Sequence, residues 1–229
     1  MAPDNLLTSP ITMQSVAIFS RCFKHLALML ILGGISVAAM SQQLSHVPSK
    51  PKSKQLRDFI KLAAEANVAY IAPEGFREIK PVKNDTLSFD YGLELPGQDF
   101  EVWFEVKSQR RAIANFVRLV SDTTRTNEHP DSLYNQTGLT LADKLSGGQN
   151  CFTTVIPPDY LARYNADEGK TYLLDLADAN QTRHYKYALL ITLHKDHVGT
   201  IVAICFGNEK GSEFFKNIFK AGRSLKFKS

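Results

Sequence analysis

The chain has 229 residues, 44% hydrophobic and 22% charged, with a formal net charge of +4 and three cysteines. That composition excludes an intrinsically disordered chain, a collagen-like repeat and a polytopic membrane protein. Three cysteines are too few for a disulfide-dense miniprotein, and a mild, unstriped positive charge excludes a nucleic-acid-binding footprint.

Arg21 and Lys24 sit just ahead of the apolar run Leu26 to Ala39. That run is too short to cross a bilayer as a helix, which takes ~20 residues. Basic residues, a short apolar core and small residues after it form the pattern of a secretory signal peptide. Ala39-Met40-Ser41 supplies the cleavage site, so residues 1–41 are expected to be removed. The membrane is then met only through this segment, before cleavage. Residues 42–54 read as a flexible tether, because Lys50, Lys52 and Lys54 alternate with Pro48, Pro51 and serines. Residues 55–229 are expected to form one domain without internal repeats.

Leu56, Phe59, Ile60 and Ala63 fall at helical spacing and predict a helix over Gln55 to Ala66. Val68 to Ala72 is a short apolar run closed by the turn Pro73-Glu74-Gly75-Phe76. Leu87 to Leu95 alternates loosely and stops at Pro96-Gly97. Phe100 to Val106 is the cleanest strand, with Phe100, Val102, Phe104 and Val106 on one face and Glu101, Trp103 and Glu105 on the other. Trp103 on that mixed face is a candidate ligand platform, although such a ring is more often covered by a neighbouring element.

Ile113, Phe116, Val117 and Val120 predict a second helix. Thr123 to Gly148 is polar and reads as loop, with one helical turn near Leu139 to Leu145. Cys151 to Val155 reads as a strand, and Pro157-Pro158 opens a short helix through Tyr164.

Tyr185 to Leu193 and Val198 to Phe206 are β-rich runs joined at Lys195-Asp196-His197. An even-numbered loop would pair Leu193 with Thr200, Ile191 with Val202, Leu189 with Ile204 and Tyr187 with Phe206. That register gathers the large apolar side chains on one face and is the one expected. Both faces are largely apolar, so the two strands are expected to be central. Ser212 is the expected cap of a closing helix, Glu213 to Ala221, with Phe215, Ile218 and Phe219 inward and Lys216 and Lys220 outward. The order of elements predicts an α+β fold, a mainly antiparallel sheet flanked by helices.

The strand ending in Pro73-Glu74-Gly75-Phe76, the two strands after it, and the late hairpin with its closing helix resemble the PsbP-like fold of exported and lumenal proteins. The resemblance covers most of residues 68 to 227. Tyr164-Asn165-Ala166-Asp167, Tyr187 and His194-Lys195-Asp196 also resemble exported bacterial proteins without an assigned role. The resemblance implies a layered sandwich of sheet and helices that serves as a binding or assembly module without enzymatic activity. It carries over no catalytic residue, and the Lys107 to Gln149 insertion departs from a minimal domain of that type.

The sequence holds no phosphate-cradling glycine loop, no His-Glu-x-x-His and no Gly-x-Ser-x-Gly elbow. His194 and His197, with Asp196 between them, are the strongest metal candidates, since imidazoles with a carboxylate suit zinc or copper. At period two, however, the rings leave opposite sides of the hairpin unless the turn curls them together. The tip is therefore read as a polar turn. His194, His197 and Trp103 stand as binding candidates, and no metal or cofactor is assigned.

Cys151 beside His129, His184, His194 or His197 would make a nucleophilic pair, and Cys151 with Cys205 a disulfide, but no spacing selects either. Acids between Asp159 and Asp178 would serve hydrolysis only at a defined separation in space. The expected function is an exported, non-catalytic binding or interaction module for a protein, glycan or small molecule of the cell envelope. The alternative is an exported hydrolase whose residues are dispersed in sequence.

Overall fold

The computed structural model of the chain describes residues 53–80, 87, 89–120, 129–149 and 151–229. The signal peptide expected at 1–41 and most of the tether expected at 42–54 lie outside the described residues. The elements run α1 (Lys54–Glu65), β1 (Val68–Tyr70), β2 (Arg77–Ile79), β3 (Tyr91–Glu94), β4 (Phe100–Ser108) and α2 (Arg110–Val120). A 3-10 turn at Pro130–Ser132 leads into α3 (Leu133–Ser146), β5 (Cys151–Val155), α4 (Pro158–Tyr164) and β6 (Glu168–Asp175). A second 3-10 turn at Asn180–Thr182 precedes β7 (Tyr187–Lys195), β8 (Gly199–Gly207), α5 (Ser212–Gly222) and β9 (Leu225–Phe227).

Seven strands form one sheet in the order β2-β3-β4-β8-β7-β6-β5, with every neighbouring pair antiparallel. β1 and β9 pair separately. The fold is α+β, with helices packed on both faces of the sheet. One face buries Phe59, Val102, Phe104, Ile201, Cys205, Ile218 and Phe227 under α1, α4 and α5. The other buries Phe89, Trp103, Tyr172, Leu190 and Phe206 against Ala142 and Leu145 of α3. β8 lies at the centre and is buried along its whole length, as the apolar character of both its faces predicts. Among the described residues, no helix is long and apolar enough to cross a membrane.

Local chemistry sets the helix ends. The Ser53 hydroxyl accepts the Leu56 N–H at 2.9 Å and starts α1. Asn67 leaves the helix at φ +54°. Phe59 and Ala63, one turn apart, face the sheet, where the Phe59 ring stacks on Tyr91 with centroids 5.0 Å apart. Pro158 opens α4 and Asn165 closes it in the left-handed region.

Four expectations need correction. The β7–β8 hairpin pairs Lys195 with Gly199, Leu193 with Ile201, Ile191 with Ala203 and Leu189 with Cys205, one residue off the even-loop register. The loop Asp196–Val198 has three residues because His197 takes φ +60°, while the Val198 N–H returns to the Lys195 carbonyl at 3.0 Å. A left-handed third residue is what a type II turn requires. Helices cover both faces, so gathering large residues on one face confers no advantage and the turn decides the register.

The polar middle contains a complete helix, α3, rather than one turn. Gly138 lets it sit directly on β6, since a Cβ there would lie 2.6 Å from the Tyr172 hydroxyl. α5 buries Phe214, Asn217, Ile218 and Ala221, leaving Phe215 and Phe219 partly exposed. Gly207 makes room for the Phe214 ring, which a Cβ would meet at 2.7 Å, and this rotates the helix one residue from the expected stripe. Ser212 is the first helical residue and Gly211 the cap, with no side-chain bond.

Candidate metal centre

The tip of the β7–β8 hairpin meets the 3-10 turn that opens the α3 segment. Several backbone bonds hold this junction. The Gln109 N–H donates to the Val198 carbonyl at 3.0 Å, and the Gln109 side chain donates to the Pro130 carbonyl at 3.1 Å. The His197 N–H donates to Asp131 Oδ1 at 3.2 Å, and the Asp196 N–H to Asp167 Oδ2 at 2.9 Å. The left-handed turn at His197 brings its ring back over the tip instead of sending it away.

The result is a set of three imidazoles and two carboxylates around Asp131. His194 Nε2 lies 3.4 Å from Asp131 Oδ1 and 3.4 Å from Asp196 Oδ1. Asp131 Oδ2 lies 3.3 Å from His129 Nδ1 and 3.2 Å from His197 Nδ1. Each trio, His129–Asp131–His197 and Asp131–His194–Asp196, is compact enough to hold one ion. A tetrahedral ion with bonds near 2.0–2.1 Å spaces its ligand atoms by ~3.3 Å, so these separations, which ordinary imidazole–carboxylate pairs also show, fit ligands around a metal.

The surroundings orient the inner ring. The His194 side chain is 1% exposed. Its ring lies parallel to that of Tyr134, with centroids 4.7 Å apart and planes 4° off parallel. Nδ1 faces the Thr200 hydroxyl at 3.4 Å, while Nε2 has no hydrogen-bond partner among the described residues. An unpaired buried nitrogen is costly, and here it points at two carboxylates. The Tyr134 hydroxyl donates to Glu168, the residue that pairs with His194 across β6 and β7. Burial first, then the neighbouring carboxylate, pushes the Tyr134 phenol well above its ordinary range and keeps it a donor.

His129 is partly exposed, its Nδ1 accepts the Asp131 N–H at 3.2 Å and lies 3.3 Å from Asp131 Oδ2. The set as a whole offers imidazole nitrogens and carboxylate oxygens, the donor types that zinc, copper and nickel take.

The sequence-derived candidates divide accordingly. His194 and His197 converge on one carboxylate, Asp131, because the turn curls their rings together. Trp103 is no ligand platform. It is 1% exposed, stacked on Phe89 at 4.4 Å and packed against Phe206 at 4.5 Å. Its indole N–H donates to Glu101 at 2.9 Å, and the same buried carboxylate accepts from Arg183 at 2.8 Å.

Cys151 and Cys205 are both free, so the disulfide is not formed. Cys205 is buried beneath α5, whereas Cys151 is exposed and contacts the Thr153 hydroxyl at 3.6 Å rather than a histidine. The acids from Asp159 to Asp178 do not converge on one centre: Asp175 pairs with Lys210 and Asp178 with His184, while Asp167 and Glu168 support the cluster from beneath. Sequence reasoning missed Asp131, the hub. Its only signal is His129-Pro130-Asp131, a donor pair spaced by a proline inside a polar stretch.

The groove beside β1 and α5, about 490 Å³ and lined by residues including Ile71, Leu95, Lys220 and Arg223, contains no histidine or cysteine and shares no residue with the cluster. The sequence matches no protein-family model and no curated protein.

Proposed function

We propose that this protein is an exported binding module whose ligand is a divalent transition-metal ion held at Asp131. The observation that carries the reading is His194 Nε2, buried, without a hydrogen bond and 3.4 Å from each of two carboxylates. Export is supported by the basic pair Arg21 and Lys24 ahead of the short apolar run, and by the small residues that follow it. A binding rather than catalytic role is supported by the resemblance of the sequence to PsbP-like proteins and by Cys151, whose sulfur contacts the Thr153 hydroxyl and no histidine among the described residues.

Binding must stabilise the folded state. At a zinc concentration of one hundred times Kd the gain is about 2.7 kcal/mol. Thermal unfolding of the purified protein with and without zinc, copper or nickel tests this. The midpoint rises with metal, returns with chelator, and stays still for Asp131→Ala. An unchanged wild-type midpoint with all three ions sinks the proposal.

A second reading, an exported metal-dependent hydrolase, is favoured by one feature. Each trio offers three protein ligands, the number that leaves a coordination position for water at catalytic zinc. Zinc-dependent cleavage of a nitrophenyl ester or phosphate, lost in Asp131→Ala, would support it over simple binding.

A further inference from the structure

The Asp131 carboxylate does not serve one histidine group. Its two oxygens are divided: Oδ1 faces His194, and Oδ2 faces His129 and His197. The ligand atoms fall into two trios that share only this residue. From this division we infer that the cluster is a two-ion centre, with Asp131 as the bridging carboxylate between an inner and an outer ion. The inference rests on the metal-binding reading above and deepens it.

The inner ion is held by Asp131 Oδ1, His194 Nε2 and Asp196 Oδ1, and the outer ion by Asp131 Oδ2, His129 Nδ1 and His197 Nδ1, with His129 Nδ1 giving up the bond from the Asp131 N–H on binding. All four ligand-to-ligand separations measured from Asp131 and His194, 3.2 to 3.4 Å, match the edge of a tetrahedron around such an ion. An unpaired nitrogen marks the inner position, where the buried His194 Nε2 has no hydrogen bond among the described residues. Neither trio contains all three histidines, so a single ion at either position leaves at least one imidazole outside its ligand set.

The two positions differ in exposure. The His194 side chain is 1% exposed, against 41% for His129 and 67% for His197. The inner ion is therefore the tight, slowly exchanging one. The outer ion is weaker, exchanges quickly and keeps a position open to solvent. Asp131 is the one carboxylate common to both trios, and Asp196 adds a second negative charge on the inner side only.

Zinc titration by calorimetry, with the bound metal counted after gel filtration, tests the inference. The expected result is two zinc ions per chain in two steps. His197→Ala loses the weaker step and keeps the tighter one, His194→Ala loses the tighter one, and Asp131→Ala loses both. Asp131→Asn, which keeps the shape and one carbonyl oxygen, retains at most one ion and serves if the alanine variant misfolds. Copper(II) adds a spectroscopic reading: the second equivalent broadens the electron paramagnetic resonance of the first through coupling across the bridge.

One ion per chain, with His194→Ala and His197→Ala weakening the same single step, overturns the two-ion centre and leaves the metal-binding reading standing. No bound zinc, copper or nickel overturns both.

Discussion

The His194 ring lies flat against the Tyr134 ring, 4.7 Å between centroids and 4° from parallel, so a residue of the insertion sets the orientation of a residue of the sheet. Tyr134 is itself held by its bond to Glu168. Groups that orient a metal-binding histidine typically change affinity 10- to 100-fold when removed. Tyr134→Phe keeps the stack and loses only the hydroxyl bond, so zinc affinity falls by about threefold or less. Tyr134→Ala frees the ring and lowers affinity by about tenfold. Equal effects in the two variants would show that the hydroxyl, not the stack, positions His194.

The turn at His197 stores strain for the sake of the cluster. A non-glycine residue in the left-handed region costs roughly 1–2 kcal/mol, and His197 sits there at φ +60°. His197→Gly relieves that cost but adds chain entropy to the unfolded state. In chelator, urea unfolding of the variant shows a net gain of about 0.5 kcal/mol. In zinc the order reverses, because an outer ligand is gone. A variant less stable than wild type in chelator would mean that the ring packs at the tip and strain is not what decides.

Gly138 reverses an ordinary rule. Inside a helix, Gly→Ala usually stabilises by about 1 kcal/mol. Here the new methyl would meet the Tyr172 hydroxyl at 2.6 Å and its ring carbons at 2.9 Å. Overpacking costs typically 1–3 kcal/mol, so Gly138→Ala lowers stability in urea unfolding and lifts α3 off β6. Increased stability would show that α3 has freedom to shift outward.

Alkaline pH weakens the fold through Cys205. Burial alone pushes its thiol far above the ordinary value of 9.0. Above about pH 9 the unfolded chain loses this proton and the folded protein keeps it. Stability from this group is therefore complete below pH 9 and falls as pH rises, by up to about 1.4 kcal/mol per pH unit. Urea unfolding from pH 7 to 10.5 checks the sign. Wild type exceeds Cys205→Ala most at neutral pH, and its advantage shrinks above pH 9. A constant difference across the range would refute the assignment.

Much of the fold was legible because it follows from local rules. The first helix, the strand from Phe100 to Val106, the proline-opened α4 and the central β7 and β8 all carry periodicity or turn signals that need no partner to be recognised. β6 was not legible, since Gly169, Lys170 and Thr171 dilute its apolar pattern, and it is a strand because β5 and β7 pair with it. α3 was hidden by Asn135, Thr137 and Gly138, poor helix formers that packing on Tyr172 overrides. Of the site, His194 and His197 were visible as donors. Their convergence was not, because it depends on one backbone angle at His197.

Sequence alone determined the fold class, the central hairpin and the residue types available for chemistry, because hydrophobic period and turn chemistry act over a few residues. Only tertiary structure decided that Trp103 is core and that Asp131 gathers three histidines. Those outcomes depend on which distant segments meet. The meeting of the Pro130 turn with the hairpin tip is set by packing and backbone bonds between residues that no local pattern connects.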